Sequence, residues 1–70
     1  MREWLKTKRI EHDMTQADLA RLINVDVTAI GKYELGERRP TPENAKKIAA
    51  VFNFDWTKFF DDEVNEPETA

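Results

Sequence analysis

Thr28 and Lys32 stand four residues apart, with Val27 immediately before them. At that spacing a hydroxyl and an ammonium share one face of a helix. Thr28 can donate or accept a hydrogen bond, and Lys32 can donate to guanine O6 and N7. Val27 can meet a thymine methyl. Such a set suits the reading of base edges rather than the making or breaking of bonds. The usual ingredients of catalysis are missing. The chain has no cysteine, and its one histidine, His12, cannot build a metal site alone. Gly31 and Gly36 are its only glycines, too few for a loop that cradles phosphate. An enzyme is not expected, nor a metal site, cofactor or small-molecule ligand.

Size and charge narrow the reading further. At 70 residues the chain is one domain at most. Its stability must come from packing and helix capping, with dimerisation a further source open to it. The net charge of −3 conflicts at first sight with a polyanionic partner. The charge is unevenly placed, however. Five of the 14 acidic residues lie in 61–70 (DDEVNEPETA), which holds no basic residue. Residues 1–60 carry all 11 basic residues and the other nine acidic ones, so they are mildly basic. Residues 1–12 are rich in charge and contain no apolar run, so no signal peptide is expected. No stretch approaches the roughly 20 apolar residues of a membrane span. A soluble, cytoplasmic protein with no membrane partner is the expectation.

The elements that must position Thr28 and Lys32 read as helices throughout. No segment alternates in the manner of a strand, and no hairpin turn signal occurs. A first helix is predicted over about Arg2–His12, with Trp4, Leu5 and Ile10 as its apolar set. Thr15 is a good N-cap for a second, with Asp18 as a capping-box partner three residues on. Asn24, tolerant of left-handed backbone, ends it. Asp26 is expected to cap a third helix over Val27–Leu35, stopped by Gly36. Thr41 caps a fourth, with Pro42 at its first position. Ala45, Ile48, Ala49 and Phe52 follow at helical spacing, and Asn53 closes it. Asp55 caps a short fifth helix with Trp56, Phe59 and Phe60. Residues 1–60 form the expected domain, and 61–70 an acidic, disordered tail.

Two short helices joined by a three-residue turn, with three more around them, define an all-α, compact five-helix helix-turn-helix domain. Ala20 is small enough to let the two helices approach. Val25 and Ile30 are expected to plug the space between them, and Met14 is a further core plug. With Ile30 inward, the 100° helical step places Tyr33 and Glu34 on the inner side. Thr28, Lys32 and Leu35 face outward, with Gly31 at the edge and Val27 at the exposed tip. A helix of this kind fits the major groove with its first residues nearest the bases. Its outward face carries no carboxylate.

Residues 5–60 resemble the Cro and phage-repressor (Xre-type) helix-turn-helix transcriptional regulators. The resemblance rests on LKTKRI at 5–10, MTQADLARLI at 14–23, VDVTAIGKYELGERRPTP at 25–42 and AAVFNFDWTKFF at 49–60. It implies the phage-repressor type of DNA-binding domain and a regulator, of repressor type, that binds double-stranded operator DNA. By the same resemblance Val27, Thr28 and Lys32 match positions that reach bases. Gln16 matches a residue that anchors a phosphate with its side chain and backbone N–H. Arg38 and Arg39 match a basic loop that grips the sugar–phosphate backbone. Arg9 and Glu34 match a buried ion pair tying the first helix to the third. Some positions depart from the pattern. Asp13 and Asn24 stand where many members have glycine, and Asp26 where many have Ser or Thr. Gly31, inside the reading helix, costs about 1 kcal/mol against alanine. The sequence leaves open whether it admits DNA closely or has no role.

The aromatic group Phe52, Phe54, Trp56, Phe59 and Phe60 is large for so short a segment. Part of it is expected to remain exposed, as interfaces commonly do. Trp56, Phe59 and Phe60 are therefore the expected contact of a two-fold homodimer, which would read a palindromic operator. A second reading stays open: a helix-turn-helix protein-interaction module, of antitoxin or antirepressor type, with weak or no DNA binding. The acidic tail favours keeping it.

Overall fold

The structure is a computed structural model that describes residues 1–60; the acidic segment 61–70, expected to be a disordered tail, lies outside the described residues. It is all-α. The helices are α1 (Glu3–Glu11), α2 (Gln16–Ile23), α3 (Val27–Leu35) and α4 (Pro42–Phe52). A fifth helical stretch begins at residues 58–60, and no strand occurs among the described residues. Its contacts divide the chain into a unit of Met1–Arg39 and a unit that begins at Pro40.

In the first unit, α1 ends on His12, whose Nδ1 lies 2.8 Å from the Lys8 carbonyl. Asp13 then takes a left-handed turn at φ 56°. Leu5 is fully buried, but Ile10 is 54% exposed. Ile10 follows Leu5 by five residues, roughly 140° round the helix. Arg9, four residues after Leu5, takes the inward position instead. The predicted apolar set of α1 is corrected accordingly.

The next helix, α2, opens with a full capping box. Asp18 N–H donates to Thr15 Oγ1 at 3.0 Å, and Thr15 N–H donates to Asp18 Oδ2 at 2.9 Å. That backbone donor, then the Thr15 side chain and Arg21, hold the Asp18 carboxyl below its ordinary value. Asn24 closes α2 in the left-handed region at φ 62°. The helix buries Leu19, Ala20 and Ile23 against α3, which returns Ala29, Ile30 and Tyr33. Val25 and Met14 are only half-buried, so Ile30 does most of the filling expected of Val25 and Ile30 together.

Asp26 stands at the N-cap of α3 with extended backbone, but its side chain makes no capping hydrogen bond. This corrects the expected cap. Asp26 is exposed, and an exposed helix end can be satisfied by water. At the other end Gly36 is left-handed, at φ 81°. Glu37 N–H then donates to the Lys32 carbonyl at 3.0 Å, folding the loop back over the last turn.

In the second unit Thr41 Oγ1 accepts from Asn44 N–H at 3.2 Å, and Pro42 sits in the first turn of α4. Ala45, Ile48, Ala49 and Phe52 are all buried, as their spacing predicts. Asn53 ends α4 at φ 62°. The Asp55 carboxylate accepts from Thr57 N–H at 3.1 Å and from Thr57 Oγ1 at 2.9 Å. The Thr57 amide, then its hydroxyl, keeps the Asp55 carboxyl below its ordinary value.

Candidate nucleic-acid interface

Helix α3 divides its residues as the helical step requires. Ile30, Tyr33 and Glu34 are buried on the inner side. Val27 is 41% exposed, Leu35 52%, Thr28 is exposed and Lys32 half-buried. A surface depression of about 390 Å³ runs along the outer side, lined by Gln16, Val27, Thr28, Gly31, Lys32, Leu35 and Glu37. Four residues singled out in the sequence for DNA contact, Gln16, Val27, Thr28 and Lys32, therefore share one surface.

Glu37 also lines the depression, although the outward face of the helix itself carries no carboxylate, as expected. Glu37 lies beyond α3, so no helical projection includes it. The bond from its N–H to the Lys32 carbonyl carries it back beside the helix. Gly36 was the available signal, because a left-handed cap reverses the chain over the last turn.

The orientation of α3 is held from beneath by Glu34. Arg9 Nε donates to Glu34 Oε2 at 2.6 Å, and Arg9 Nη2 donates to Oε1 at 3.3 Å. Oε1 also accepts from Gln16 Nε2 at 3.1 Å. Arg9 Nη1 donates to the Met14 carbonyl at 2.8 Å. One buried carboxylate thus joins α1, α2 and α3 through charge-assisted hydrogen bonds. Gln16 has a structural partner that the sequence did not reveal. With one amide N–H donating to Glu34, its second amide N–H and its backbone N–H, in the first turn of α2, are the donors left to meet an anion.

Gly31 has negative φ, and a Cβ added there would meet the Gln16 amide at 3.7 and 3.9 Å, which is ordinary contact. Among the described residues nothing requires glycine at that position. Arg38 and Arg39 are both exposed on the loop after Gly36. Arg38 N–H lies 3.3 Å from the Lys32 carbonyl.

Of the three aromatics expected at a dimer contact, Phe59 is fully buried within the chain, its ring 5.7 Å from that of Phe54. It has no surface to present, so an exposed patch cannot include it. Trp56 and Phe60 are half-buried and meet edge to face at 5.5 Å. Lys46 Nζ lies 5.0 Å from the Trp56 ring centre, a cation–π contact. Lys47 reaches Glu43 at 3.8 Å, an i,i+4 pair on the exposed side of α4. Among the described residues no helix is long and apolar enough to cross a membrane.

A helix set on a buried carboxylate, with a donor-bearing face turned outward and a basic loop at its end, defines a helix-turn-helix reader. The family model described as helix-turn-helix matches residues 5–59. The chain belongs to the Cro and phage-repressor (Xre-type) helix-turn-helix family of transcriptional regulators. It is 39% identical over 66 residues to the uncharacterized HTH-type transcriptional regulator YqaF of Bacillus subtilis (strain 168), spanning 94% of this chain and 87% of that protein. It is 43% identical over 49 residues to the cryptic phage CTXphi transcriptional repressor RstR of Vibrio cholerae, spanning 70% of this chain and 44% of that repressor. No solved structure matches the chain.

Proposed function

We propose that the protein is a cytoplasmic repressor that binds a palindromic operator as a homodimer, with α3 in the major groove. The observation that carries this reading is the gathering of Gln16, Val27, Thr28 and Lys32 along one depression beside an otherwise buried helix. Thr28 and Lys32 supply hydrogen bonds to base edges, and Val27 packs on a thymine methyl. Gln16, Arg38 and Arg39 meet the phosphates, and the Arg9–Glu34 pair keeps the reading helix in place. With Phe59 withdrawn into the interior, the proposed dimer contact rests on Trp56 and Phe60. The similarity to a phage repressor supports repression as the outcome.

Selection of bound duplexes from a random pool tests the reading directly. It should return an inverted repeat whose halves lie about one helical turn apart. On the selected duplex, Lys32→Ala should cost about 1–3 kcal/mol and relax preference at one position per half-site. Arg39→Ala should weaken cognate and random duplexes alike and flatten the salt dependence by about 0.9 log units per phosphate contact. A pool that stays unenriched at low salt would instead support the protein-interaction reading. A monomer by sedimentation, with and without the selected duplex, would remove the dimer.

A further inference from the structure

Arg2 precedes the region matched by the family model, which starts at residue 5, and the proposed interface makes no use of it. It is nevertheless a buried cation, 4% exposed. Burying a guanidinium is expensive unless its donors are used. Arg2 Nη1 donates to the Tyr33 carbonyl at 2.7 Å and to the Arg38 carbonyl at 3.0 Å. The Arg2 backbone N–H donates to the Glu34 carbonyl at 2.8 Å.

Tyr33 and Glu34 lie in the last turn of α3, where carbonyls run out of helical donors; besides Arg2, the Tyr33 carbonyl accepts from the Gly36 N–H at the cap, at 3.2 Å. The negative end of the helix dipole also favours a cation there. The Arg38 carbonyl belongs instead to the loop. One guanidinium nitrogen therefore bridges the end of the reading helix and the loop that carries Arg38 and Arg39. Gly36 lies under this strap. A Cβ there would come within 3.3 Å of the Met1 nitrogen and 3.4 Å of Met1 Cα, and its φ of 81° disfavours side chains anyway.

We propose that Arg2 is a positioning residue for DNA binding: its bridge from Tyr33 to Arg38 fixes where the Arg38–Arg39 loop presents its charges. Arg2 itself touches no DNA. This rests on the operator-binding reading, and the test separates the two.

The test uses the full chain and the duplex selected above, with Arg2→Ala as the main variant. Without DNA, amide exchange at Glu37 and Arg38 should speed up by about tenfold or more relative to the amides of α2, as a locally released loop requires. With DNA, the salt dependence should flatten by up to about 1.8 log units, the share of two phosphate contacts. In an Arg38→Ala/Arg39→Ala background, adding Arg2→Ala should cause no further loss of affinity. Additive losses in that cycle would overturn the proposal. So would unchanged exchange at Glu37 and Arg38, or a lowered thermal midpoint with an unchanged salt slope. If Arg2→Ala does not fold, Arg2→Gln keeps a donor, loses the charge and carries the same measurements. A wild-type chain that retains no duplex overturns the operator reading and the DNA part of this proposal. The exchange measurement then still decides whether Arg2 holds the loop.

Discussion

Glu34 concentrates more consequence than any other side chain. It accepts from Arg9 and Gln16 and is 3% exposed. Glu34→Ala should destabilise the protein by about 3–5 kcal/mol, because it leaves the Arg9 guanidinium buried without its partner. Denaturant unfolding checks this, and a loss below about 1 kcal/mol would place the pair among surface ion pairs. Gly31 predicts the opposite sign. A methyl there finds room beside Gln16, so Gly31→Ala should raise stability by about 1 kcal/mol. The same variant should weaken binding to the selected duplex, since Gly31 lines the reading depression. Greater stability with unchanged affinity would leave Gly31 no part in the interface. Which residues of α3 face inward was legible, because a single anchor, Ile30, sets the whole helix. The positions of Glu37 and Arg2 were not legible. Both depend on backbone carbonyls of the last turn of α3, which no residue type announces.

At the scale of elements, the helix ends were the most readable features, because caps are local chemistry. Thr15, Thr41, Asn24, Gly36 and Asn53 all stand where their side chains or backbone preferences place them. Asp26 shows the limit of that reasoning. A capping residue type fixes the position of a helix start, but not whether the bond is made. Thr15→Ala should therefore cost about 1 kcal/mol, and Asp26→Ala distinctly less. The capping box also has a pH signature. The folded protein holds the Asp18 carboxyl below its ordinary value, so the box contributes its full stability above about pH 4. That contribution disappears as pH falls through the lowered folded value. The thermal midpoint of the wild type should then drop more steeply on acidification than that of Asp18→Asn. Parallel curves would show that Asp18 contributes nothing to the acid limb. Ile10 shows a second limit: in a helix with few apolar residues, spacing alone does not say which face is inward. The buried face of α1 is completed by a charged residue, Arg9.

For the whole molecule the uneven charge matters most. Removing residues 61–70 takes away five acidic residues and no basic one. The shortened chain should bind random duplex more tightly at low salt, and the difference should vanish as screening increases. Equal affinity at all salt concentrations would make the segment electrostatically idle. The three residues proposed to read bases would specify few base pairs, so one copy of α3 would make a poor operator reader. This is why the proposed dimer bears on function and not only on assembly.

The division of the chain at Arg39 and Pro40 also has an optical consequence. Trp4 lies on α1 in the first unit, and Trp56 lies in the second, under the Lys46 ammonium and against the edge of Phe60. Each unit thus carries its own intrinsic fluorophore. In Trp4→Phe and Trp56→Phe variants the remaining indole reports from the unit that carries it. Coincident emission transitions on heating would mean that the reader and the helices beyond it melt as a single cooperative body. Separated transitions would mean that the reading half can open while the other half stays folded.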